Sequence, residues 1–101
     1  MTVYVAKYSG GEYEDAFELT LGIYDELDVA KYECMEKMKQ IESGNDYLDV
    51  DAFVIEEWKI NFGYERDVNE WWREKSGQYG HFIPREEWIT GVTKPYKRYE
   101  D

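Results

Sequence analysis

The residues able to do chemistry in this chain are few. His81 is the single histidine and Cys34 the single cysteine, so one copy can assemble neither a histidine-rich metal site nor an internal disulfide. A Ser-His-Asp triad would have to join His81 to Ser9, Ser43 or Ser76, and none of these serines sits in the G-x-S-x-G turn that presents a hydroxyl to its base. Gly80-His81-Phe82 reads instead as a loop with a partly packed imidazole. Cys34 falls in the apolar stripe of an expected helix, where burial makes a thiol unreactive. Asp46, Asp49 and Asp51 have the oxygen-rich character that a hard cation takes, but they lack the EF-hand order, its central glycine and its distal bidentate glutamate. Gly10-Gly11 has no GKS/T or GxGxxG frame around it and makes no phosphate loop. Carboxylates are so plentiful that a pair at glycosidase-like separation carries no information. We therefore expect no enzyme, no cofactor and no metal centre.

What the chain does offer is negative charge, unevenly placed. Against 23 acids stand 12 Lys and Arg, a formal net charge of -11. Residues 1–62 hold 15 acids and 5 bases, and residues 63–101 hold 8 acids and 7 bases. Two stretches contain no base: Tyr8 to Ala30, with seven acids, and Gln40 to Trp58, with six. This balance argues against binding nucleic acid through phosphate neutralisation and against docking on an anionic membrane. No stretch approaches the ~18 apolar residues of a membrane span, and the start lacks a basic n-region with an apolar h-region. With a lone cysteine, the expectation is a cytoplasmic protein.

The elements that must carry these groups follow from periodicity. At 101 residues the chain is expected to form a single domain, with residues 1–62 an acidic ββαβ core and 63–101 a charge-balanced aromatic elaboration. Thr2 to Tyr8 alternates as a first strand, and Ser9-Gly10-Gly11 breaks it. Phe17, Leu19, Leu21 and Ile23 recur with period two, which sets Glu18, Thr20 and Tyr24 on the opposite face. A helix from about Asp28 to Glu42 places Ala30, Cys34, Met38 and Ile41 on one side, with Asp25 or Asp28 as its cap and Gly44 past its end. A third strand is expected over Ala52–Phe62, its alternation interrupted by a bulge or strand end at Glu56-Glu57. Asp67-Val68-Asn69-Glu70 resembles a capping box and predicts a short helix with Val68, Trp71 and Trp72 on one face. Pro84 is expected to open a helical turn, and Trp88–Thr93 to form a short strand. The fold class is thus α+β: an antiparallel sheet of three to four strands with one main helix packed on it and a short Trp-bearing helix.

The order of strand, glycine-marked acidic loop, strand ending Leu21-Gly22-Ile23-Tyr24, helix, and Phe53-Val54-Ile55-Glu56-Glu57-Trp58 resembles a group of short phage and bacterial proteins with a compact ββαβ body. The likeness covers residues 2–62 and rests on patterning. It transfers no activity. The resemblance implies a small, soluble, intracellular protein, often phage-encoded, in an anti-defence (anti-CRISPR-like) setting.

Two surfaces are candidates for recognition. The first is acidic: Glu12, Glu14, Asp15, Glu18, Asp46, Asp49 and Asp51, with Tyr13 and Tyr47 as contact aromatics. Carboxylates two apart on an extended chain, as in Glu12/Glu14 and Asp49/Asp51, would point the same way at about 6.6 Å spacing. They would offer a basic, nucleic-acid-binding groove a ladder of negative charge, and tyrosines would add amphipathic contact area. The expected partner is a host protein with a basic surface, such as a CRISPR or restriction nuclease, bound by nucleic-acid mimicry. The second surface is aromatic: Trp71, Trp72, Arg73 and Trp88. Those side chains could wall a site that sequesters a nucleotide-like ligand, or form a homodimer or other structural interface.

Overall fold

The structure is a computed structural model that describes residues 1–11, 13–44, 49–73 and 81–85, with Tyr13 described by its backbone alone. Strand β1 runs Thr2–Gly10, a single 3-10 turn spans Tyr13–Asp15, and β2 runs Phe17–Tyr24. Helix α1 (Leu27–Glu42) leads to β3 (Val50–Lys59), β4 (Gly63–Arg73) and the short β5 (Phe82–Pro84). All neighbouring strands pair antiparallel, in the order β2-β1-β3-β4-β5. The fold is α+β, with α1 packed on one face of a five-stranded sheet. Among the described residues no helix is long and apolar enough to cross a membrane.

The helix is the element that local periodicity dictates most directly. Ala30, Cys34, Met38 and Ile41 are its buried residues, the stripe that a 3.6-residue repeat turns toward the sheet. Its N-cap is Glu26, which makes no side-chain capping bond, rather than Asp25 or Asp28. Gly44 ends it as expected: at φ +84° it donates its N–H to the Ile41 carbonyl at 3.0 Å, in a conformation that glycine adopts without steric cost.

The helix meets side chains from three strands. Cross-strand partners share a face, so the pairs Tyr8↔Phe53, Ala6↔Ile55 and Phe53↔Trp71 build the covered side of the sheet. Phe53 lies at its centre, stacked on Tyr8 with ring centroids 5.4 Å apart and met edge-on by Phe82 at 5.1 Å. Val50, Phe53 and Ile55 are fully buried, each worth roughly 1.5–3 kcal/mol in transfer free energy. Lys37 holds its ammonium 5.6 Å above the Tyr8 ring, closing one flank of this layer.

Three features depart from the sequence pattern. In β2 the pairing slips between Ala6 and Lys7: Ala6 faces Gly22 and Lys7 faces Thr20, leaving Leu21 as the extra residue of a bulge. A one-residue slip flips every later side chain. Ile23 therefore pairs with Val5 on the open side and is 65% exposed, while Tyr24 pairs with Tyr4 and packs on the core. In β3 the alternation continues through Glu56-Glu57; the irregularities fall on β4, where Val68 and Glu65 are the unmatched residues. Finally, Asp67 to Arg73 is strand rather than helix. Trp71 and Trp72 pair with Phe53 and Ala52 and point to opposite faces, because ladder pairing and aromatic packing on β3 override a local capping signal. Pro84 ends the edge strand β5, the kind of strand that tolerates proline. Of the helical turn expected after it only Arg85, which is helical, is described, and the strand expected over 88–93 lies outside the described residues.

Candidate functional site

The two base-free stretches approach each other through one residue. Gly10 pairs with Phe17 of β2 on one side and with Val50 of β3 on the other. The turn after β1 and the entry to β3 thus lie at the same end of the sheet. Gly10 packs directly on the Asp49 carbonyl, in the space a Cβ would need. Glu14 and Asp15 stand exposed in the 3-10 turn, Asp49 is exposed just before β3, and Asp51 is half-buried and already engaged within the protein. Glu18 leaves 61% of its side chain in solvent, with Lys7 Nζ at 3.9 Å. Because Glu14 is in a 3-10 turn, it does not stand on the extended chain that a Glu12/Glu14 ladder requires. Glu12, Asp46, Tyr47 and the Tyr13 side chain lie outside the described residues.

The aromatic candidates separate. Trp71 is 9% exposed and belongs to the core. Arg73 is 8% exposed, donates through Nη1 to the Val50 carbonyl at 3.4 Å and stacks 5.4 Å from the Phe82 ring. Both work inside the fold, so neither is presented to a ligand from solution. Trp72 stands on the open face under the Arg85 guanidinium, 5.4 Å from its ring. Trp88 lies outside the described residues.

The open face carries side chains that the charge argument passed over. Trp58 donates its indole N–H to Glu56 Oε1 at 2.8 Å, and Trp72 donates to Glu70 Oε2 at 3.3 Å. In each case the carboxylate is two residues earlier on the same strand, so both side chains share a face. The signal was present as Glu56-x-Trp58 and Glu70-x-Trp72, visible once both segments are taken as strands. Lys7 ties β1 to this row, 3.1 Å from Glu56. Toward the β3–β4 hairpin the face becomes apolar. A cleft of about 480 Å³ is lined by the apolar Val3, Val5, Ile23, Trp58 and Ile60, and by Lys59, its one charged lining residue among the described positions. Tyr64 meets Trp58 edge-on at 5.9 Å and donates its hydroxyl to Asp67 at 3.0 Å. That bond to Asp67 holds the phenol above its ordinary pKa.

Reactive chemistry is sparse at every described position. Cys34 is fully buried, and burial followed by the nearby Glu33 pushes its thiol from 9.0 up to about 12. His81 is exposed rather than partly packed, with Nδ1 3.4 Å from Glu42 Oε1. The other Glu42 oxygen accepts the Phe82 N–H at 2.7 Å and fixes the edge strand to the helix end. Among the described residues no group of three or more His, Cys, Asp or Glu could hold a metal ion. No protein-family model, curated protein or solved structure matches the chain. The functional reading therefore rests on the chain's own surface.

Proposed function

We propose that this chain is a non-enzymatic interaction protein whose acidic sheet end binds a basic, nucleic-acid-binding surface of another protein. The observation that carries the reading is the double pairing of Gly10 with Phe17 and Val50, which brings Asp49 to the sheet end that holds Glu14, Asp15 and Glu18, more than 30 residues earlier in the sequence. Four grouped carboxylates, of which only Glu18 has a lysine (Lys7, 3.9 Å) beside it, raise the local negative potential and steer a cationic groove toward contact. Nucleases of bacterial defence systems are the targets we propose, in keeping with the phage-like resemblance, and inhibition follows when the groove is occupied.

The test is capture from bacterial lysate at low and high salt, with the wild-type protein and with a triple variant Glu14→Lys, Asp15→Lys, Glu18→Lys. All three side chains are exposed, so the variant keeps its fold, which circular dichroism checks. We expect nucleic-acid-processing enzymes on the wild-type bait at low salt only, released by excess duplex DNA, and none on the variant. Capture that the reversals leave unchanged, or that DNA does not compete, overturns the proposal.

A further inference from the structure

We infer that the outer edge of β2, over Phe17–Thr20, receives an extended segment of the partner polypeptide as an added strand, one that alternates basic and apolar residues. The inference deepens the acidic-end reading and rests on it, because the same end of the sheet supplies the charge that selects the segment.

The two edges of the sheet differ. Among the described residues β2 pairs with β1 and with no other strand. It spans eight residues without a lysine or a proline, whereas β5 on the far side has three and ends in Pro84. A long edge presents a row of outward N–H and C=O groups that another strand can pair with, and short strands, lysines and prolines are the devices that keep edges closed. Extended peptides bind by this route when they add to an exposed edge, with main-chain hydrogen bonds giving affinity and alternate side chains giving specificity. The bulge at Leu21 breaks the register of β2 and bends its later part. The regular edge is therefore Phe17–Thr20, the part that follows the acidic turn Tyr13–Asp15.

The faces of this edge select the side chains of the segment. Glu18 pairs with Ser9 and Thr20 with Lys7, on the open side of the sheet, while Leu19 pairs with Tyr8 on the helix side. All three are exposed. A strand laid beside them sets alternate residues next to Glu18 and Thr20 on one face and next to Leu19 on the other. Lys7 lies 3.1 Å from Glu56 but 3.9 Å from Glu18, so its charge is spent mainly on Glu56. Glu18 keeps 61% of its side chain in solvent, and Glu14 and Asp15 stand exposed just before the strand. Lys or Arg on the open side and an aliphatic residue against Leu19 complement this pattern. A second copy of this chain is disfavoured, since it would bring the same base-free stretch from Tyr8 to Ala30.

Fluorescence anisotropy with three short labelled peptides tests the inference: alternating Lys and Val, the same sequence N-methylated along its backbone, and alternating Glu and Val. N-methylation keeps charge and side chains but removes the donors that a ladder needs. The Lys/Val peptide should bind at least about tenfold tighter than either other peptide, a difference of roughly 1.4 kcal/mol. Its binding should slow amide exchange within Glu18–Thr20. Equal binding of the methylated peptide, or unchanged exchange in that segment, overturns strand addition and leaves the acidic-end reading standing. Glu/Val binding as tight as Lys/Val refutes the basic segment. A wild-type dimer in light scattering that Leu19→Arg dissociates replaces the inference with edge-to-edge self-association. Lysate capture that survives the Lys reversals at Glu14, Asp15 and Glu18 overturns the acidic-end reading itself, so the two failures are told apart.

Discussion

Phe53 and Trp58 are aromatics on the same strand, five residues apart, and the structure assigns them opposite fates. Phe53 is 1% exposed and sandwiched between Tyr8 and Phe82. Truncating it to Ala removes the ring from the centre of the helix–sheet layer and leaves a cavity that neighbours on three strands cannot close. Such substitutions cost about 3–5 kcal/mol, and two aromatic contacts place Phe53 at the upper part of that range. Trp58 is only partly buried, on the face without a helix. Its truncation loses an edge contact with Tyr64 and a hydrogen bond to Glu56, about 1–2 kcal/mol in all. With a urea slope of about 1.5 kcal/mol/M, Phe53→Ala should lower the unfolding midpoint by roughly 2–3 M and Trp58→Ala by ~1 M. Circular dichroism is the readout, because tryptophan fluorescence changes with the second variant. Where Phe53→Ala proves too unstable to fold, Phe53→Leu keeps the comparison, with an expected loss of about 1–2 kcal/mol. A Trp58→Ala loss equal to that at Phe53 refutes the assignment of faces.

Gly10→Ala should cost about 1–3 kcal/mol through overpacking, since the new methyl meets the Asp49 backbone directly. Urea unfolding measures the loss, and a neutral result contradicts the close approach that unites the acidic segments. Cys34 makes stability fall at alkaline pH. Its thiol is neutral in both states below pH 9, whereas between 9 and about 12 only the unfolded chain ionises, at a cost of roughly 1.4 kcal/mol per pH unit. Cys34→Ala should therefore flatten the decline between pH 9 and 10.5 by about 1–2 kcal/mol. Tyr24 is also raised, by burial first and then by Glu33 and Cys34, so the variant relaxes it in the direction that flattens the same decline. Parallel urea midpoints for wild type and variant across that range contradict a buried, neutral thiol.

The helix was legible because its signal is local: four apolar residues at helical spacing need only a sheet to cover them, and all four are buried. The two N-terminal strands and β3 were legible for the same reason. The register of β2 was not, since the slip at Leu21 is decided by what Ala6 and Lys7 pair with. A bulge leaves no mark on the alternation of one strand read alone. Trp71 and Trp72 were misplaced on a helix because Asp67-Val68-Asn69-Glu70 carries helix-start residues. Pairing with β3 supplies a full ladder and a buried site for one indole, which outweighs a cap. The acidic residues could be counted in advance, but their gathering at one end depends on Gly10 having two partners, and the open-face cleft depends on Ile23 having been turned outward.

Composition and spacing alone determined the net charge of -11, its concentration in residues 1–62, the scarcity of reactive side chains and the buried face of α1. Each is a property of single residues or of neighbours within a few positions. The tertiary structure decided which strand faces which, hence that Arg73 and Trp71 serve the interior while Trp58 and Ile23 open a cleft outside. Those outcomes depend on contacts between segments tens of residues apart, where a one-residue change of register exchanges the covered and open faces and no local pattern can record it.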